Sequence, residues 1–232
     1  MGTDINLCVE IKGRNDDEWR PILVPNPYYD KANLESKPYS PSRMYNIRNS
    51  DLFAILAGLG NRTISPSGDK YDKFTIISEP RGLPPDVSQE VREEHETLLK
   101  GYDGWDEEDF YTSWLTIGEI LAFDWDQFVT IKINVSEKNY LNIMNDRPLV
   151  YDGDLDLHKI RNISRSEMDR IIKGEIPREE GTFYYSLIEK DITYRERVGP
   201  FLEFCEYLDF QFSTGSNAER GSNVRLVFWF DF

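Results

Sequence analysis

Three arginines in this sequence stand where a guanidinium can be held still. Arg48 lies just ahead of a helix signal beginning at Asn49 or Ser50, where free backbone N–H groups and the helix dipole favour an anion. Arg81 sits within Pro80-Arg81-Gly82-Leu83-Pro84-Pro85, a frame stiff enough to present a side chain from a fixed backbone. Arg195 follows Tyr194 at the end of an expected strand. Guanidinium forks match phosphate oxygens in pairs, and Tyr111, Trp114, Tyr194 and Trp229 offer ring faces on which a base can stack. Together these are the parts of a nucleotide or phosphate pocket. The expected ligand-binding set is therefore Arg48, Arg81, Tyr111, Trp114, Tyr194, Arg195 and Trp229. Each residue alone also has an ordinary role, since surface arginines pair with carboxylates and tryptophans fill cores. Convergence of the arginines on one cavity is what separates the two readings.

Other chemistry has less to build on. Asp4 and Asp231 are the acids that would serve a carboxylate or magnesium site if the chain were an enzyme, and further acids crowd Asp103, Asp106, Glu107, Glu108 and Asp109. In a chain this acidic, a given carboxylate is far more often a solubility residue than a catalyst. The two histidines, His95 and His158, have no cysteine or histidine at metal-ligand spacing, and His95 reads as part of a solvated helix. No phosphate-binding glycine loop, dinucleotide fingerprint or nucleophile elbow is present. No catalytic residue, cofactor or metal is expected.

The elements that must position these residues follow from periodicity. Ile5, Leu7, Val9 and Ile11 alternate with Asn6, Cys8, Glu10 and Lys12, predicting a half-buried strand over 3–12 and a hairpin partner at Trp19–Val24. A proline-rich loop spans 25–46. Leu52, Phe53, Ile55, Leu56 and Leu59 predict a helix, and Phe74–Ile77 a short strand. A polar helix is expected over Asp86–Lys100, opened by Asp86 and Gln89 as a capping box; Thr116 and Glu119 form a second box opening a short helix. Strands are expected at Phe128–Val135, Phe183–Tyr194 and Val224–Phe230, a short helix at Ser164–Lys173, and a helix starting at Gly199-Pro200. The fold class is α+β: a single domain over 1–232, with an antiparallel or mixed sheet, helices packed on it and long irregular loops.

Composition narrows the partners. Forty-two acidic residues against 27 basic ones give a net charge of −15 across 232 residues, which repels nucleic-acid polymers and anionic membrane surfaces. It leaves room for a small anion where a few arginines reverse the local potential. No apolar run approaches a membrane span, and the two cysteines sit in apolar patterns that suit buried thiols. A cytoplasmic protein is expected. Loop 25–46 suits either closure over a ligand or a contact in a homo-oligomer.

Six segments in order carry a resemblance: Met1-Gly2-Thr3-Asp4-Ile5; Arg48 with Asp51–Gly58; Pro80-Arg81-Gly82-Leu83-Pro84; Ser113-Trp114-Leu115-Thr116; Tyr194-Arg195; and Val224-Arg225-Leu226-Val227-Phe228-Trp229-Phe230-Asp231. The chain resembles, over nearly its whole length, a family of uncharacterised proteins carried by bacteriophages and prophages. Members of that family often carry a histidine after the opening Gly-Thr-Asp-Ile, where this chain has Asn6. The resemblance implies a phage protein at work in the host bacterial cytoplasm, and the substitution disfavours histidine chemistry. The leading expectation is an anti-defence protein that binds and sequesters a small nucleotide-derived signal without turnover. The alternatives are a metal- and carboxylate-dependent nucleotide hydrolase, or an acidic protein that blocks a host defence protein.

Overall fold

Glu10 and Arg225 are charged residues in otherwise apolar runs, and they face each other across adjacent strands at the centre of the molecule's main sheet. The computed structural model describes residues 3–13, 18–33, 36–41, 44–64, 70–102, 104, 108–151, 159–214 and 220–231. The fold is α+β, with helices packed on antiparallel and mixed sheets. Its contacts divide it into two compact units, residues 1–127 with 194–232, and residues 128–193.

In the larger unit the chain forms β1 (Asp4–Lys12), β2 (Trp19–Pro21), β3 (Val24–Pro25), β4 (Tyr39–Ser40), α1 (Ser50–Ala57), β5 (Arg62–Ile64), β6 (Lys70–Asp72), α2 (Gln89–Leu99), β7 (Ser113–Thr116) and α3 (Ile117–Ala122). After β8 (Phe128–Ser136), α4 (Glu137–Met144), β9 (Ile160–Ile163), α5 (Arg165–Ile172) and β10 (Phe183–Thr193) of the smaller unit, α6 (Tyr194–Phe212) and β11 (Val224–Asp231) complete it. The main sheet has the order β2-β1-β11-β7, antiparallel throughout. Two short hairpins, β3 with β4 and β5 with β6, stand beside it.

The expected half-buried β1 is in fact covered on both faces. Leu7 and Val9 lie on one face, with Phe230 meeting Phe53 of α1 at 4.8 Å between ring centres. Cys8, Val227 and Trp229 lie on the other, packed with Val87, Val91 of α2 and Phe110. Burial on both sides explains why β11 reads as an almost unbroken apolar run. Burial pushes the thiol of Cys8 up, and likewise that of Cys205 on α6; both cysteines are free. His95, expected on a wet helix face, is fully buried, with its ring edge-on to Trp229.

Several boundaries differ for local reasons. No strand forms at Phe74–Ile77; the pairing falls on Lys70–Asp72 instead. Helix α2 opens at Ser88 rather than with an Asp86 box, because the Asp86 carboxylate is spent on Trp19 and Arg225. Helix α6 begins five residues before Gly199, and its break at Val198 (φ −126°, ψ 16°) puts Pro200 in the first turn of a second segment, where proline is tolerated.

The smaller unit is a three-stranded sheet of order β8-β10-β9, with β10 antiparallel to β8 and parallel to β9. Val135, Tyr140, Met168, Ile171, Tyr184 and Ile188 form its core beneath α4 and α5. Tyr140 donates to Asp169 at 2.6 Å and so ties the two helices together. Helix α4 and strand β9 lie outside the elements expected from periodicity.

Candidate functional site

The backbone around Arg81 is held as its proline frame suggests. Its N–H donates to Ser113 Oγ at 3.1 Å, and the Gly82 N–H donates to the Thr112 carbonyl at 2.9 Å, which lays the segment along the start of β7. The side chain is then fixed from three sides. Arg81 Nη2 donates to Glu119 Oε1 at 2.7 Å, Nη1 to Oε2 at 3.2 Å, and Nε to Ser78 Oγ at 2.9 Å. Its guanidinium carbon stands 5.0 Å from the centre of the Trp114 ring.

Glu119 is itself held. As the third residue of α3 it completes the expected capping box, accepting the Thr116 N–H at 2.8 Å while the Thr116 hydroxyl accepts the Glu119 N–H. Burial works to raise the Glu119 carboxyl, but the hydrogen bonds from Arg81 and Thr116 outweigh it and hold the group below the usual carboxylate range. It therefore remains an anion at neutral pH. A guanidinium carries five N–H groups, so two of those on Arg81 remain for another partner.

Arg81 lines a cleft of about 700 Å³ within the larger unit, a size suited to a small ligand. Tyr111 stands in the same wall. Its neighbours Phe110 and Thr112 are both buried, Thr112 bonding to His95 at 2.9 Å, while Tyr111 stays half-buried at the cleft. Tyr111 closes the turn that begins at Glu108, its N–H donating to the Glu108 carbonyl at 3.1 Å, with φ of +50°, a conformation that costs a tyrosine roughly 1–2 kcal/mol. Strain of this kind persists only where the surroundings impose it, and it clusters at functional sites. Arg62, paired with Asp72 at 3.2 Å, and the carboxylates Glu79 and Glu108 complete the charged lining. Two cations thus face three anions.

Of the other expected residues, Trp114 reaches the cleft only through Arg81. Arg48 is locked to Asp4 by a two-pronged bond, one prong at 2.6 Å, and the hydrogen bond lowers the Asp4 carboxyl. Arg195 pairs with Asp126 at 3.2 Å. Tyr194 is buried, its hydroxyl accepting the Thr75 N–H and its ring stacked on Phe123. Trp229, 1% exposed, presents no free face. The expected convergence of three arginines on one cavity therefore does not occur: of the three, Arg81 lines the cleft and Arg48 and Arg195 do not. No family model matches the chain, and no curated protein or solved structure matches it either.

Asp4 and Asp231 are direct cross-strand partners, so the sequence pairing of these acids has a structural counterpart. Both Asp4 oxygens are nonetheless occupied by Arg48. Among the described residues no group of three or more histidines, cysteines and acids is placed to hold a metal ion. Asp103, Asp106, Glu107 and His158 lie outside the described residues.

One polar cluster escaped the reading of the sequence. Arg225, 2% exposed, donates to Glu10 Oε2 and to Asp86 Oδ1, each at 2.7 Å, with its guanidinium 4.1 Å from the Trp19 ring. Glu10 Oε1 accepts the Ser88 N–H at 2.8 Å. Burial would raise Asp86, and Arg225 outweighs it, holding the carboxyl low. The signal was a lone charge within each of two apolar strands.

Proposed function

We propose that the chain is a binding protein that captures a small nucleotide-derived anion in the Arg81 cleft and releases it chemically unchanged. The observation that carries this reading is the fixed Arg81 guanidinium, held by Glu119, Ser78 and Trp114 at the cleft wall with N–H groups to spare. An arginine immobilised before binding pays little ordering entropy when it takes a phosphate. The lining favours a ligand that is more than an anion. Asp72, Glu79 and Glu108 repel bare phosphate but accept hydrogen bonds from sugar hydroxyls or base amino groups, and Tyr111 offers a ring beside them. A nucleotide has all three features. In the setting implied by the resemblance, that of a phage protein, such capture would serve to silence a host defence signal.

Titration calorimetry with adenosine monophosphate and a cyclic dinucleotide is expected to show saturable binding, with the ligand recovered intact after the protein is denatured. Replacing Arg81 by Ala removes a charged hydrogen-bonding partner and should weaken binding by tenfold or more. A cleaved product, or unchanged affinity in both Arg81→Ala and Arg62→Ala, overturns the reading.

A further inference from the structure

The smaller unit holds a second cleft, of about 520 Å³, between the start of α4 and the start of β10. Its chemistry differs from that of the Arg81 cleft. Two cations stand on it, Lys138 of α4 and Arg147 just beyond that helix. Neither enters an ion pair among the described residues, whereas Lys132, Arg161, Arg170 and Arg178 of the same unit all do. The acid in the lining, Glu137, is already neutralised by Arg178. Among the described residues the uncompensated charge of the cleft is therefore positive, in a chain that carries −15 overall.

Backbone geometry sets Arg147 in place. Helix α4 ends with the Arg147 N–H on the Asn142 carbonyl at 2.7 Å and the Asp146 N–H on the Ile143 carbonyl at 3.1 Å. This is a Schellman ending with Asp146, at φ +52°, in the position glycine usually fills. The chain reverses there and brings Arg147 back to the helix.

The rest of the lining combines Leu141 and aromatic residues with the polar Ser136, Asn142 and Thr182. Phe183 and Leu141 are exposed, and Tyr184, also in the lining, is held by its hydroxyl accepting the Glu179 N–H at 3.0 Å. Tyr185 adds a third ring. Cations beside exposed rings suit an anion attached to a planar group, since the charge meets Lys138 and Arg147 while the ring covers apolar surface.

We infer that this cleft is a second binding site, for a small anion bearing an aromatic ring, independent of the Arg81 cleft. The probes are phenyl phosphate, inorganic phosphate and benzyl alcohol, titrated into the full chain by calorimetry and ligand-observed NMR. Phenyl phosphate is expected to bind saturably and at least tenfold more tightly than either of the other two. The double variant Lys138→Ala/Arg147→Ala, both positions being exposed, should fold normally and lose at least tenfold in phenyl phosphate affinity. Phe183→Ala should weaken phenyl phosphate at least threefold and leave inorganic phosphate unchanged, which a purely ionic surface would not produce. Arg81→Ala should leave all three titrations as they are. Equal affinity for phenyl and inorganic phosphate, unchanged binding in the double variant, or loss of binding in Arg81→Ala would each sink the inference. None of these outcomes bears on capture in the Arg81 cleft, which the nucleotide titrations of Arg81→Ala and Arg62→Ala test separately.

Discussion

Arg225 carries its charge almost wholly buried in the larger unit. Buried between Trp19 and Trp114, it must be neutralised by Glu10 and Asp86, and both are reached from parts of the chain far away in sequence. Burying a charge is expensive, and a buried pair stabilises only weakly over an apolar replacement. Removing one partner, however, leaves the other uncompensated, at about 3–5 kcal/mol. Arg225→Ala is therefore expected to lower the unfolding free energy by that amount, read from urea denaturation. The double change Glu10→Leu/Arg225→Met should cost less than Arg225→Ala, because it removes both buried charges. Additive losses would show that packing rather than charge dominates there. Trp114 gives the cluster a bearing on function, since it also stands against Arg81.

Among the elements, α3 links fold and site most directly. Thr116 caps it, and the same box fixes Glu119, which fixes Arg81. Thr116→Ala should cost about 1 kcal/mol of stability, the usual worth of such a cap. It should also weaken nucleotide binding in the cleft, whereas Thr116→Ser, which keeps the hydroxyl, should restore both. Calorimetry that shows lost stability with unchanged affinity would uncouple Glu119 from the site. This box was legible in the sequence because its two residues lie three apart, and so were the helix cap at Asn49 and the long strands. Arg81 and Tyr111 were legible for a similar reason: the chain around each is locally constrained. The locking of Arg48 by Asp4, and of Arg195 by Asp126, was not. Those partners lie 44 and 69 residues away, so nothing local marks them. Asp86 misled in the same manner, since a local capping box lost its acid to a residue 139 positions on. Burial of Trp229 and His95 depended on α2 covering the second face of the sheet, which alternation within β1 cannot reveal.

For the molecule as a whole, two electrostatic effects oppose each other as pH falls. A charge of −15 destabilises the compact state by self-repulsion at neutral pH, and protonating carboxylates relieves it. Against this, Asp51, Asp86 and Glu119 have carboxyls held below their ordinary values. In each, burial acts upward and is outweighed by hydrogen bonds and charge: from Lys73 and Arg197 at Asp51, from Arg225 at Asp86, and from Arg81 and Thr116 at Glu119. A group depressed in the folded state adds stability above its unfolded pKa, about 4 for these acids, and loses it as pH falls through the folded value. Relief of repulsion comes first and loss of the ion pairs second. Tm should therefore rise slightly from pH 8 to about 5 and drop steeply below about 4. Asp51→Asn discriminates between the two effects, because it leaves Lys73 and Arg197 without their anion. The variant should be clearly less stable at pH 7 and approach the parent as pH falls through the depressed folded-state value of Asp51, below which that group is protonated in both states of the parent. A gap that does not narrow at all as pH falls below the unfolded value of about 4 would mean that Asp51 acts through packing and neutral hydrogen bonds rather than through its charge.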